Sequence, residues 1–209
     1  MEAMDTKEHW EQVYSKTDPD ALSWFQLHAD QSLRLVRDTG LPGTASIIDI
    51  GGGASMLVDD LLAHGYSHLS VLDLSAAAMA SARQRLGPLA QAVDWIEGDI
   101  TAVQLPFQAY DLWHDRAVFH FLTTPAQRKA YVDAVLHAVK PGGHIIVATF
   151  AEDGPTQCSG LPVVRYSPDG LHAEFGMPFT LLRHEEEEHR TPRGGIQKFI
   201  YCYCRKDAP

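Results

Sequence analysis

The chain has 209 residues, 45% hydrophobic and 21% charged, with a formal net charge of -10. This is enough for one domain with a sizeable core, and the acidic balance argues against a nucleic-acid partner, which requires clustered Lys and Arg. No apolar run approaches the roughly 18 residues of a membrane span, and the polar, acidic Met1 to Trp10 is neither a signal nor a transit peptide, so no membrane contact and a cytoplasmic location are expected.

Taken in order, Thr6 to Ser15 has helical spacing, with Trp10, Val13 and Tyr14 on one face, and Asp18-Pro19-Asp20 ends it. Gln31 to Arg37 continues as a second helix that stops near Gly40 and Pro42. Residues 1–43 are therefore expected to form a helical cap on a single domain spanning 1–209. A β-α alternation follows. Ser46 to Ile50 is a strand, Ala54 to His64 a helix, and His68 to Leu74 a strand. Ser75 is the expected cap of a helix over Ala76 to Leu86. Val93 to Glu97 and Tyr110 to His114 are strands. Thr124-Pro125 opens a helix to about Val139, Lys140-Pro141-Gly142-Gly143 is a tight turn, and His144 to Phe150 is a nearly all-apolar strand. Such alternation predicts a parallel sheet covered on both faces, with right-handed crossovers winding it in both directions.

The last third differs. A Gly- and Pro-rich loop leads to a short helix near Pro168 to Phe175. Phe179 to Arg190 and Gln197 to Arg205 then read as a hairpin joined by Thr191 to Gly195. The acidic run His184 to His189 falls on the first hairpin strand, where charge protects an outer edge, and it receives no catalytic role. Cys202 and Cys204 alternate along the final strand and are expected to pack. A three-thiolate site with Cys158 is disfavoured, because the pair should lie away from the active-site edge, and no metal is expected.

Three glycines at once follow the buried strand that ends Asp49-Ile50. Glycine permits both a sharp turn and close approach of a ligand to the backbone. A dinucleotide fingerprint needs a third glycine where Met56 stands, and no Gly-Lys-Ser or Gly-Lys-Thr follows to make a phosphate loop. The pattern Asp49-x-Gly51-x-Gly53 instead resembles the first motif of class I S-adenosylmethionine (SAM) dependent methyltransferases. Asp73 at the end of the second strand, Gly98-Asp99-Ile100 after the third, Tyr110-Asp111-Leu112-Trp113 in the fourth and His137 to Gly143 before the fifth extend the resemblance in the same order, over about Ser46 to Arg205. Ser55 departs from it, since many relatives carry glycine there.

The resemblance implies a doubly wound α/β fold, a seven-stranded, mainly parallel sheet with a C-terminal antiparallel hairpin. It implies SAM as cofactor, held by Tyr14, Trp24, Asp49, Gly51, Gly52, Gly53, Ser55, Asp73, Leu74, Gly98, Asp99, Ile100 and His114. Asp73 would take the ribose hydroxyls and Asp99 the adenine amino group. The segment after the fourth strand would lie beside the methyl group, giving His114, Asp115 and His120 as catalytic candidates, with His suited to base work at neutral pH. His120 is equally readable as a packed residue, and Arg116 as the ion-pair partner of Asp115. Trp10 and Trp24 either wall the pocket or anchor the cap. Phe119, Arg165 and Tyr166 are the substrate candidates, the last two from a long loop leaving the catalytic edge. The expected activity is methyl transfer to a small-molecule acceptor. The opening His9-Trp10 to Tyr14 segment also resembles some protein-lysine methyltransferases, which makes a protein substrate the alternative. A non-catalytic SAM-binding protein is the third reading.

Overall fold

The computed structural model describes residues 6–208; residues 1–5 of the expected cap and residue 209 lie outside the described region. The chain contains helices α1 (Thr6–Lys16), α2 (Asp30–Asp38), α3 (Leu57–Ala63), α4 (Ala76–Leu86), α5 (Pro125–Ala138) and α6 (Pro168–Phe175). Its strands are β1 (Ser46–Ile50), β2 (His68–Asp73), β3 (Val93–Glu97), β4 (Tyr110–Arg116), β5 (Val139–Phe150), β6 (Gln157–Cys158), β7 (Leu161–Pro162), β8 (Phe179–Arg190) and β9 (Ile196–Lys206).

Seven strands form one sheet in the order β3-β2-β1-β4-β5-β9-β8. Strands β1 to β5 are mutually parallel, and β9 runs against both β5 and β8. The order reverses between β1 and β4, the place where the strand tips of a doubly wound sheet open a crevice. Successive residues point to opposite faces, so the central strands feed two cores. Ile48, Ile50 and Trp113 pack with Tyr131 and Val135 of α5 and Leu171 and Phe175 of α6. Ile47, Leu112 and Ile146 pack on the other face with Leu35 and Val36 of α2 and Leu57 and Leu61 of α3.

Several helix ends follow local rules. The Ser75 side chain accepts from Ala78 N–H, and Thr124 with Gln127 makes a reciprocal capping box ahead of Pro125. Three boundaries depart from expectation. Helix α3 starts at Leu57 rather than Ala54, because Gly51 to Met56 is spent on the turn; Ser55 N–H closes onto Gly52 O and the Ser55 hydroxyl accepts from Leu57 N–H at 3.1 Å. Strand β4 runs two residues past His114, to Arg116, paired with Ala148 of β5. The Lys140 to Gly143 turn is folded into β5, as a shift in register between Tyr110 and Leu112 of β4.

The cap docks by specific contacts, since α1 itself buries no residue. The Glu11 carboxylate accepts from Ala76 and Ala77 N–H at 2.6 and 3.2 Å, at the end of α4 where unpaired donors and the helix dipole favour an anion. Trp10 meets Trp24 and Phe121 edge-on, with ring centroids 5.7 and 5.2 Å apart. The acidic run on β8 is only half solvated. Its outward residues are exposed, whereas Glu185 and Glu187 turn toward the cap, where Gln31 donates to Glu185 at 2.5 Å and Gln26 to Glu187 at 2.6 Å.

Candidate active site

The turn after β1 is built around carboxylates. Gly51 has φ +66° and donates its N–H to Leu72 O at 2.7 Å. A Cβ there would overlap Val118, and one at Gly52 would overlap Asp49 Oδ2. A Cβ on Gly53 would come within 2.5 Å of both Asp73 Oδ2 and Ala78. Side chains are therefore excluded at all three positions by neighbouring side chains, with backbone strain added at Gly51. Asp73 accepts from Gly53 N–H at 3.0 Å and Ser75 N–H at 2.8 Å. Burial outweighs those two donors and pushes its carboxyl up to about 6. Asp49 Oδ1 lies 2.7 Å from His114 Nδ1, while Asp49 Oδ2 is buried and has no hydrogen-bond partner among the described residues.

Two joined cavities lie along this edge. The larger, with an empty volume of about 980 Å³ open to solvent, passes the tips of β1, β2 and β3, touching Gly51, Asp73, Leu74, Gly98, Asp99 and Ile100. The smaller, of about 590 Å³, reaches Asp49, Gly52, Ser55 and His114. Tyr14, Trp24, Gly51 and Arg116 border both. Gly53 stands behind them through its bond to Asp73. The Tyr14 phenol is held above its ordinary range by burial first and the nearby Asp73 carboxylate second. Asp99 is exposed, its Oδ1 accepting from Thr101 N–H and Oγ1.

The three catalytic candidates are not gathered around one reacting point. Both ring nitrogens of His114 are occupied, Nδ1 by Asp49 and Nε2 by the Ser32 hydroxyl at 2.8 Å, so His114 bridges β1 to the cap helix α2. Asp115 is fully buried and faces inward. It accepts from Val118 N–H, Phe119 N–H and the Tyr131 hydroxyl, the last at 2.6 Å, and burial raises its carboxyl to about 7. Its role here is to shape the turn after β4. His120 is also fully buried, edge-on to Phe121 and tilted against Phe150, with Nδ1 accepting from Phe150 N–H at 3.3 Å. Burial lowers its imidazole to about 3, which leaves it neutral. Neither Asp115 nor His120 borders either cavity.

The substrate candidates are displaced as well. Phe119 sits in the core against Tyr131, Tyr166 and Phe175. Tyr166 is in the same cluster, because Tyr166 N–H pairs with Phe150 O and draws the loop back along β5. Arg165 is exposed and donates to Gly154 O. Of the loop after β5, Cys158 on β6 is the residue that reaches the larger cavity, and burial pushes its thiol up to about 12. The Cys202 and Cys204 sulfurs lie 3.3 Å apart on β9, in the core.

Arg116 is the residue whose place differs most from expectation. It makes no pair with Asp115. Its guanidinium, 10% exposed, pairs with Glu187 at 3.1 Å, donates from Nε to Tyr201 at 3.1 Å, and lies 4.0 Å from the Phe199 ring centroid. A sequence signal existed: had β4 been extended by two residues, the alternation of a strand would put Arg116 on the face of His114. Nothing local marks Phe121 or Cys158, which reach the wall opposite the glycine turn through tertiary packing.

A doubly wound sheet with strand-tip carboxylates and a glycine cradle at its switch point defines the class, and residues 48–145 match the family described as a methyltransferase domain. The match covers just under half of the chain, and the fold is that of the class I, S-adenosylmethionine-dependent methyltransferases. Among curated relatives it is 26% identical over 109 residues to the ubiquinone/menaquinone biosynthesis C-methyltransferase UbiE of Roseobacter denitrificans, covering 51% of this chain and 42% of that one. It therefore spans less than half the length of that relative. It is 22% identical to EEF1A lysine methyltransferase 2 of Homo sapiens, over 91% of this chain and 79% of the relative. Among solved structures, the Burkholderia thailandensis 1,6-didemethyltoxoflavin-N1-methyltransferase, with bound 1,6-didemethyltoxoflavin and S-adenosylhomocysteine, superposes with a TM-score of 0.72 at 19% identity, over 96% of this chain and 87% of that one.

Proposed function

We propose that this single-domain protein transfers a methyl group from SAM to a small-molecule acceptor. The observation that carries the reading is the cap laid over the larger cavity. The cap helix α1 lies across it, fastened by Glu11 to α4 and by Trp10 to Trp24 and Phe121. An acceptor must fit the chamber beneath.

The residues present fit the cofactor. The glycine turn leaves room that any Cβ would fill, and Asp49 Oδ2 is a buried acceptor in want of a donor, which the ammonium of a bound amino acid would supply. In this reading Gly51, Gly52, Gly53, Asp49 and Ser55 hold the methionine end, with Tyr14 and Trp24 closing over it. Asp73 accepts the ribose hydroxyls, and Leu74, Gly98, Asp99 and Ile100 hold the adenine. His114 acts as a positioning residue that fixes the Asp49 carboxylate. When bound, the cofactor supplies an activated methyl group; the protein supplies alignment and exclusion of water. Trp10, Trp24 and Phe121 do the excluding.

Methylation of a protein lysine is the second reading, favoured by the likeness to EEF1A lysine methyltransferase 2 along 91% of this chain. Incubating the protein with methyl-labelled SAM and whole lysate separates the two. Label confined to the low-mass fraction is expected, and label in a discrete protein band overturns the small-molecule reading. A non-catalytic SAM-binding protein would bind the cofactor and transfer no label to either fraction.

A further inference from the structure

Among the described residues the acceptor wall of the chamber carries one permanent positive charge, that of Arg116. A guanidinium has five N–H donors. Nε–H is shared between Glu187 Oε2 and the Tyr201 hydroxyl, one Nη2–H goes to Glu187, and one Nη1–H to Trp24 O. Among the described residues this leaves two N–H donors uncommitted, on a side chain that borders both cavities. The carboxylate that balances Arg116 stands on β8, and both its oxygens are committed, Oε2 to Arg116 and Tyr201 and Oε1 to Gln26. Glu187 lines neither cavity. Seen from the chamber, the charge is therefore positive, and it is framed by Trp10, Trp24 and Phe121.

The other side chains on that wall are poor proton acceptors. Asp115 and His120 border neither cavity, and both ring nitrogens of His114 are occupied by Asp49 and Ser32. The Tyr14 phenol and the Cys158 thiol are both held protonated by burial. From the groups packed around Arg116, His120 and His189 are both pushed toward the neutral form by burial and by Arg116 itself.

We propose that the acceptor is a planar aromatic or heteroaromatic molecule that enters as an anion — a phenolate, enolate or thiolate conjugated with its ring — and that Arg116 holds it through the two free N–H groups. This rests on the small-molecule methyltransferase reading and narrows it. An anionic acceptor needs no base in the protein. Its electron pair forms the bond to the methyl carbon as the carbon–sulfur bond breaks, the pair from that bond stays on sulfur, and both partners end neutral with no proton to remove. A lysine ammonium, by contrast, would meet a like charge at Arg116, and its proton would have to be lost before transfer.

Binding to the protein loaded with S-adenosylhomocysteine tests this without a known substrate. The probes are 4-nitrophenol, its neutral methyl ether 4-nitroanisole, and Nα-acetyl-lysine amide, titrated by calorimetry between pH 6.5 and 9. The 4-nitrophenolate anion is expected to bind at least tenfold more tightly than either of the others, with affinity rising along the ionisation curve of the probe itself. The double variant Arg116→Met/Glu187→Gln, which removes both buried charges together, is expected to lose that preference, and Arg116→Lys to keep part of it. Equal binding of the ether or the lysine amide overturns the proposal, as does an anion that fails to bind or a preference that survives in the double variant. The pH titration requires no variant, so a misfolded one does not block the test. Binding of S-adenosylhomocysteine without binding of the anion overturns this inference and leaves the methyltransferase reading standing; failure to bind S-adenosylhomocysteine removes both.

Discussion

Along the tips of β1, β2 and β3 the cleft is made largely of backbone and short polar side chains. Across from them it is made of large side chains delivered by α1, the loop before α2, the turn after β4 and the short strand β6. The first side has little freedom: a Cβ at Gly51, Gly52 or Gly53 collides with a neighbour, and Asp73 is pinned by two N–H bonds. The second side is assembled from segments far apart in the chain, and its shape depends on how the cap and loops pack. A rigid frame for a constant cofactor and a variable wall for the acceptor is the division of labour expected when function is grafted onto a common fold.

The largest expected effect falls on the rigid side. Gly51→Ala places a side chain at φ +66° and against Val118, which should destabilise the fold by about 2–4 kcal/mol from overpacking and backbone strain together. Denaturant unfolding checks it, and a loss under about 1 kcal/mol would mean that the turn relaxes more easily than its contacts indicate. Asp73→Ala comes next. It should weaken S-adenosylhomocysteine binding more than tenfold, since it removes a charged acceptor for two hydroxyls. Unchanged affinity in calorimetry would take Asp73 out of the site.

Proton linkage sharpens the same side. Burial raises the Asp73 carboxyl from 3.8 to about 6. The folded state thus binds its proton more readily than the unfolded one, so this group lowers stability as pH rises from about 4 to 6. A ligand that donates to the carboxylate favours the ionised form. Affinity for S-adenosylhomocysteine should therefore be level above about pH 6 and fall by up to tenfold per unit below it. A flat profile from pH 5 to 7 would show that the ligand does not depend on an ionised Asp73. The smallest effect is expected outside both walls. Arg165→Ala removes an exposed side chain whose hydrogen bond is to Gly154 O and should change stability by no more than about 0.5 kcal/mol. Any loss of acceptor binding in that variant would return the loop after β5 to the site.

The contrast also governs what could be read from the chain alone. Strand–helix alternation, the capping residues at Ser75 and Thr124, the hairpin and the carboxylates at the tips of β1, β2 and β3 are all local in sequence, and the doubly wound sheet with its terminal hairpin was legible from them. The residues after β4 were harder. His114, Asp115 and His120 have the chemistry of bases, yet their directions depend on Ser32 of α2, Tyr131 of α5 and Phe150 of β5. No spacing within residues 114–121 encodes those partners. Arg116 was assigned to the adjacent Asp115, whereas in the fold its partner lies on β8. The loop over 151–166 was expected to line the pocket, but Val164 N–H bonds to His120 O and Tyr166 N–H to Phe150 O, which carries its end into the core.

Glu187 gives the outermost strand of the sheet a reach that its position belies. It stands behind Arg116, so a change of one inward-facing residue on β8 would retune the field inside the chamber without altering a single atom of its lining. Exchanging Glu187 for a neutral residue would leave the guanidinium less well anchored and more available to an anion; moving the carboxylate would swing the cation with it. Selectivity in this protein would then be adjustable from the rim of the fold, at the stability cost of breaking a buried ion pair, while the glycine turn at its centre stays fixed.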